Sequence, residues 1–119
     1  MAVSVKELIE QKESISKRKS RQYDLTTSIG VITIKQPTRA LAAEAAQMEE
    51  GDPYLIMECV VAPDFKDKQL LEAYGCLEPT DLPIKIFESG EVRAIANKIL
   101  ECAGYGKDIQ SAIHKEIKN

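Results

Sequence analysis

Residues 22–37 read QYDLTTSIGVITIKQP, and the fold class turns on them. The stretch is rich in β-branched residues. Tyr23, Leu25 and Thr27, then Ile32 and Ile34, recur at every second position. Period-two alternation marks a strand with one buried face. A turn near Thr27–Gly30 folds the stretch into a β-hairpin, and no other part of the chain carries a comparable strand signal. A lone hairpin is marginal in water, so this one has to pack on helices or pair with another chain. Its exposed edge offers a docking rail for a partner strand.

On the N-terminal side, Ser4 to Arg21 read as one helix. Ser4 and Glu7 have capping-box spacing, and Val5, Leu8, Ile9 and Ile15 form a thin apolar stripe. Glu7, Glu10 and Glu13 come early, and Lys17, Arg18, Lys19 and Arg21 come late. That order complements the helix dipole, which accounts for the basic run without a nucleic-acid role.

On the C-terminal side the pattern is helical throughout. Thr38 caps the alanine-rich RALAAEAAQMEE, and Gly51 ends it. Asp52 then caps PYLIMECVV, with Pro53 at the first helical position. This segment is apolar nearly all round and reads as the central buried helix, ending at Ala62–Pro63. A shorter helix over about Lys66 to Tyr74 stops at Gly75. One helical turn is expected at Leu82–Phe87. Ser89 caps an amphipathic helix in which Val92, Ile95, Ala96, Ile99, Leu100 and Ala103 keep helical spacing. The expected architecture is α+β and predominantly helical, in a single domain over residues 1–119. It comprises an N-terminal helix (1–21), one β-hairpin (22–36) and a cluster of about five or six helices (38–118).

The segment ECAGYGKD, residues 101–108, has the glycines and lysine of a phosphate loop but not its setting. Such a loop follows a strand and opens a helix with Lys–Ser/Thr. Here a helix precedes, and Asp108 follows Lys107, where an acid would repel phosphate. Gly104 instead falls where a helix wants a left-handed C-terminal residue. A last helix over Lys107 to Lys118 follows, with Ile109, Ile113 and Ile117 on one side.

Composition narrows the chemistry. The 119 residues are 44% apolar, 5% aromatic and carry a net charge of −3. An acidic total and few rings argue against a nucleic-acid binder. Cys59, Cys76 and Cys102 are widely spaced and include no CxxC pair, so a zinc module is not indicated. Reduced, mostly buried thiols fit a soluble intracellular protein. No signal peptide or membrane span is evident. Cys59 and Cys102 lie where a thiolate is disfavoured, and His114 reads as a surface residue. The acids Glu49, Glu50, Asp52, Asp64 and Asp67 lack a calcium-loop pattern. No acid, base and nucleophile converge, so neither an enzyme nor a cofactor is expected.

The order of segments carries a family resemblance. SVKELIEQK is followed by YDLTTSIGVITIKQPT, then DPYLIMECVVAPDFKDKQLLEAYGC, then KIFESGEVRAIANKILECAGYGKDIQ. This series resembles the phage tail assembly chaperone family of long-tailed phages and phage-like elements of Gram-positive bacteria, over about Val5 to Lys118. The resemblance implies a non-enzymatic helper in the host bacterial cytoplasm. It would bind the tape measure protein and keep it soluble while tail tube subunits assemble, and be absent from the finished tail. The tail tube protein and a second copy of the chain are further partners to test. On the residues, the expected partner contacts are Thr33 and Lys35 on the hairpin and Lys107, Ile113 and Lys115 on the last helix. The competing reading is a small nucleic-acid-binding phage regulator using Lys17 to Arg21.

Overall fold

The computed structural model describes residues 1–114. Its described residues form seven helices and three strands: α1 (Val5–Glu10), α2 (Lys12–Lys19), β1 (Gln22–Thr27), β2 (Gly30–Lys35), α3 (Arg39–Ala46), α4 (Gly51–Cys59), β3 (Val60–Ala62), α5 (Lys68–Ala73), α6 (Asp81–Ile86) and α7 (Ser89–Cys102). The class is α+β and mostly helical, as the sequence indicated, with five helices after the hairpin.

The hairpin forms where the alternation placed it. Gln22 faces Lys35, and Thr27 faces Gly30. Ile32 and Ile34 are buried, whereas Tyr23 and Leu25 are half-buried against the same core. Gly30 takes φ +119°, a backbone conformation that side chains resist, which fixes glycine at the turn. A third strand was not anticipated. β3 pairs antiparallel with β2, giving the order β1-β2-β3. The sequence reading carried the helix of Pro53 on through Val61. Two features end it earlier, at Cys59. Val60 and Val61 are β-branched, and Ala62 precedes Pro63, where the helical region is disfavoured. The open side of β2 then supplies hydrogen-bond partners that a last helical turn would lack.

Three further boundaries differ from expectation. α3 closes at Ala46, and not at Gly51, because Gly51 lies against the carbonyl of Ala45. A Cβ on Gly51 would come within 2.0 Å of that oxygen. α4 therefore begins at Gly51 with Glu50 in the capping position, Pro53 is third in the helix, and Asp52 does not cap. α7 begins at Ser89 itself, and Glu88 occupies its capping position without a side-chain bond. Thr38 caps α3 as expected, its Oγ1 accepting from the Leu41 N–H at 3.1 Å.

The core lies where α4, α7 and the inner face of the sheet meet. Leu55, Ile56 and Cys59 from α4 pack with Val92, Ile95, Ala96 and Ile99 from α7 and with Ile32 and Ile34. Phe65 and Phe87 close one side, with ring centroids 6.4 Å apart. At the start of α7, Glu91 accepts hydrogen bonds from the backbone N–H and the hydroxyl of Ser28. The hairpin turn is thus tied to the first turn of α7.

The C-terminal end of α7 is closed by a Schellman motif. The Gly104 N–H donates to Glu101 at 2.9 Å, and the Tyr105 N–H donates to Leu100 at 3.1 Å, with Gly104 at φ +90°. Residues 101–108 are a helix stop, as read. The expected helix does not follow over 107–114, which carries no regular structure. Gly106 at φ +81° breaks the start, and Ile109 and Ile113 find no surface to pack on. A short helix without packing is marginal in water. Residues 115–118 of that expected helix, with Lys115 and Ile117, lie outside the described residues.

Candidate interaction site

The N-terminal segment forms an arm. The single helix expected over Ser4 to Arg21 is jointed at Gln11, which stays in the right-handed helical region. Ser4 caps α1 by accepting from the Glu7 N–H at 3.0 Å. Every residue of α1 and α2 is exposed except Ile15, which is half-buried. Gln36 fastens the base of the arm, its Nε2 donating to the Arg18 carbonyl at 2.7 Å. The molecule is 72 Å along its longest axis against 27 and 24 Å across.

Two grooves accompany the arm. The first, of about 490 Å³, lies between the α3–α4 corner and the α6–α7 corner. Its rim carries Glu49, Glu50 and Asp52, and its apolar contacts include Met48, Ile84 and Val92. Met48 and Ile84 are exposed. Arg93 donates to Asp52 at 3.1 Å across this groove, whereas Glu49 and Glu50 are exposed and have no ion-pair partner among the described residues. The second groove, about 540 Å³, runs between the arm base and the end of α7. Lys19, Gln36, Arg39 and Tyr105 line it, which makes its charge basic.

The residues singled out in the sequence fall into two groups. Thr33 and Lys35 are on β2, the central strand, so neither lies on a free edge. The free edge of the hairpin belongs to β1. Thr33 is held instead by a cross-strand bond, its Oγ1 donating to Asp24 at 2.8 Å. Lys107 and Ile113 lie in the irregular segment after α7, and Ile113 is 92% exposed. The second groove brings the exit from β2, just past Lys35, beside the exit from α7, just before Lys107. None of Thr33, Lys35, Lys107 and Ile113 lines that groove itself, and the hairpin edge and terminal helix expected as contact surfaces take other forms here. Sequence reasoning missed the acidic groove. Its signal in the sequence is the acid run Glu49–Glu50–Asp52, which has no calcium-loop pattern.

Two of the thiols, Cys59 and Cys102, are biased toward their neutral form. Burial pushes Cys59 up to about 11, and burial followed by the nearby Glu101 charge raises Cys102. Among the described residues no three His, Cys, Asp or Glu side chains are grouped as metal ligands. No helix among them is long and apolar enough to cross a membrane. What the surface offers is contact chemistry: exposed apolar side chains beside grooves of opposite charge.

Comparison with known families gives one match. The model of the phage XkdN-like tail assembly chaperone proteins covers residues 34–118, from within β2 to the C-terminal region. No curated protein and no solved structure matches the chain. The family match spans well over half of the sequence, and the chain belongs to the phage XkdN-like tail assembly chaperone family.

Proposed function

We propose that this member of the family is a holdase for the tape measure protein, keeping that long helical chain soluble while tail tube subunits assemble in the host cytoplasm. On this reading it performs no chemistry of its own and leaves before the tail is complete. The observation that carries the proposal is the segment after α7. Ile109 and Ile113 are 83% and 92% exposed there, and the segment departs just after Tyr105, which lines a basic groove. Apolar side chains left this bare are covered when a partner arrives, and a helix laid into a groove is a common way to cover them.

The proposed contact surface is Lys35, Lys107, Ile113 and Lys115, with Tyr105 and Arg39 flanking it. Thr33 contributes by holding β2 in place, so a proline there would break pairing with both neighbouring strands and test folding before binding.

The test is co-expression with the tape measure protein of the same phage or prophage, followed by affinity capture and light scattering. The expected result is a soluble stoichiometric complex, with the partner insoluble when expressed alone. Reversing Lys107 and Lys115 to Glu together should weaken capture at least about 10-fold, the scale of a surface whose charges steer and hold a partner. A partner that stays insoluble, or soluble but unbound, would overturn the reading. Affinity for nucleic acid that falls steeply with salt would then favour the Lys17–Arg21 alternative.

A further inference from the structure

The base of the arm poses a problem of charge. Lys19 and Arg39 both line the groove between the arm and the end of α7, and among the described residues no acid lines it. The two come from α2 and α3, which the hairpin separates in the chain. Lys17, Arg18 and Arg21 flank Lys19 in sequence, and Lys35 adjoins Gln36, another lining residue. These six cations are exposed, and none has an ion-pair partner among the described residues. Residues 12–39 hold seven Lys or Arg and two acids, within a chain whose net charge is −3.

Local structure accounts for only part of this cluster. The helix dipole favours Lys17, Arg18 and Lys19 at the end of α2. It does nothing for Arg21, beyond that helix, and it opposes Arg39 in the first turn of α3, which holds no acid. Like charges gathered this way repel one another, and an anionic partner relieves the repulsion. The wall carrying Lys19 is also fixed in place, because Gln36 Nε2 donates to the Arg18 carbonyl at 2.7 Å and to the Tyr23 hydroxyl at 3.4 Å. The lining selects among anions. Single-stranded nucleic acid is held by successive rings on which its bases stack, and Tyr105 is the one ring among the described lining residues. Pro37 and Ala103 add apolar surface, and exposed Ile109 follows Tyr105 in the chain. A groove that is basic and partly apolar fits a helix with carboxylates beside an apolar face.

We propose that the partner segment seated here is an acidic amphipathic helix, its carboxylates paired with Lys19 and Arg39 and its apolar face on Tyr105 and Ile109. The inference rests on the holdase reading and deepens it. From a long helical partner it selects the stretches that carry Asp and Glu along the edge of an apolar stripe.

The experiment titrates the full chain with overlapping synthetic peptides that span the tape measure protein of the same phage or prophage, read by fluorescence anisotropy. The tightest binders should be acidic peptides that turn helical on binding, with affinity falling as salt rises. Lys19→Glu with Arg39→Glu should weaken them at least about 10-fold. Both positions are exposed, and an acid suits the start of α3, so the variant keeps its fold, as circular dichroism will show. Lys68→Glu with Lys85→Glu changes the net charge equally at exposed positions outside the groove and should weaken them less than about 2-fold. Replacing the Asp and Glu of a bound peptide by Lys should abolish its binding to the native chain and restore binding to the Lys19–Arg39 variant. Basic or uncharged peptides that bind as tightly as acidic ones overturn the proposal, and so does undiminished binding by that variant. If the native chain captures the full-length tape measure protein but binds no acidic peptide, the proposal falls and the holdase reading stands. If it does not capture the full-length protein, both fall. A single-stranded RNA that binds more tightly than any peptide, and is lost in the same variant, replaces the acidic helix with nucleic acid.

Discussion

α1–α2 and α7 carry apolar stripes of the same spacing and treat them oppositely. In α7, Val92, Ile95, Ala96 and Ile99 are 7%, 4%, 0% and 0% exposed. In the arm, Val5, Leu8 and Ile9 stand in solvent. Periodicity specifies that a helix has a face. It does not specify what covers the face. α7 runs 14 residues without a break and meets α4 and the sheet, whereas the arm is jointed at Gln11 and is fastened at its base by Gln36. The lesson is that a stripe becomes core only when the rest of the chain brings a second surface to it. A stripe left over belongs to something else.

The largest expected effect tests this contrast directly. Ile99→Ala removes a fully buried side chain and should cost about 3 kcal/mol of unfolding free energy. Leu8→Ala, at matched chemistry and spacing, should change it by under about 0.5 kcal/mol. Urea unfolding measures both. A comparable loss for Leu8→Ala would mean that the arm packs on its own body, and the contrast would fail.

A smaller effect comes from the buried thiol of α4. Burial holds Cys59 protonated up to about 11, whereas in the unfolded chain it titrates near 9. Between those values the unfolded state binds fewer protons than the folded state, so stability falls as pH rises. It is fully present below about pH 9 and is lost through about pH 11, by roughly 2 kcal/mol. Denaturation midpoints measured across this window should show the fall in the native chain and lose most of it in Cys59→Ala. Deleting residues 1–20 should leave the slope unchanged, because the arm contributes no buried thiol. A slope that follows the arm instead would show that the two regions are coupled.

The same contrast explains what could be read in advance. The hairpin was legible because alternation over Tyr23–Ile34 has one interpretation, and α7 because its stripe is long and closed by Gly104. β3 was not legible. Its three residues take their strand form from the open side of β2, a tertiary cause absent from the local pattern. The missing helix after Gly106 failed for a related reason: Ile109 and Ile113 have helical spacing and no surface to receive them. The acidic groove was illegible because Glu49 and Glu50 come from the α3–α4 corner and Ile84 from α6. Only the fold makes them neighbours. Gly51 showed this least of all, since its tight approach to Ala45 looks in sequence like an ordinary helix stop.

The smallest expected effect is the sharpest comparison, because the arm and the body contain the same device. Ser4 caps α1 and Thr38 caps α3, each side-chain oxygen accepting a backbone N–H three residues on, at 3.0 and 3.1 Å. Removing either cap leaves one helical N–H without its partner, at a cost to that helix of about 1 kcal/mol. Where that cost is registered depends on whether the helix is coupled to the core. α3 places Ala42 and Ala45 in the buried interior, so Thr38→Ala should lower the global unfolding free energy by about 1 kcal/mol. α1 buries nothing, so Ser4→Ala should leave global unfolding unchanged. Its cost should appear locally, as faster amide exchange in residues 5–10. A fall in global stability for Ser4→Ala like that for Thr38→Ala would show that α1 is coupled to the core, and the contrast between arm and body would fail.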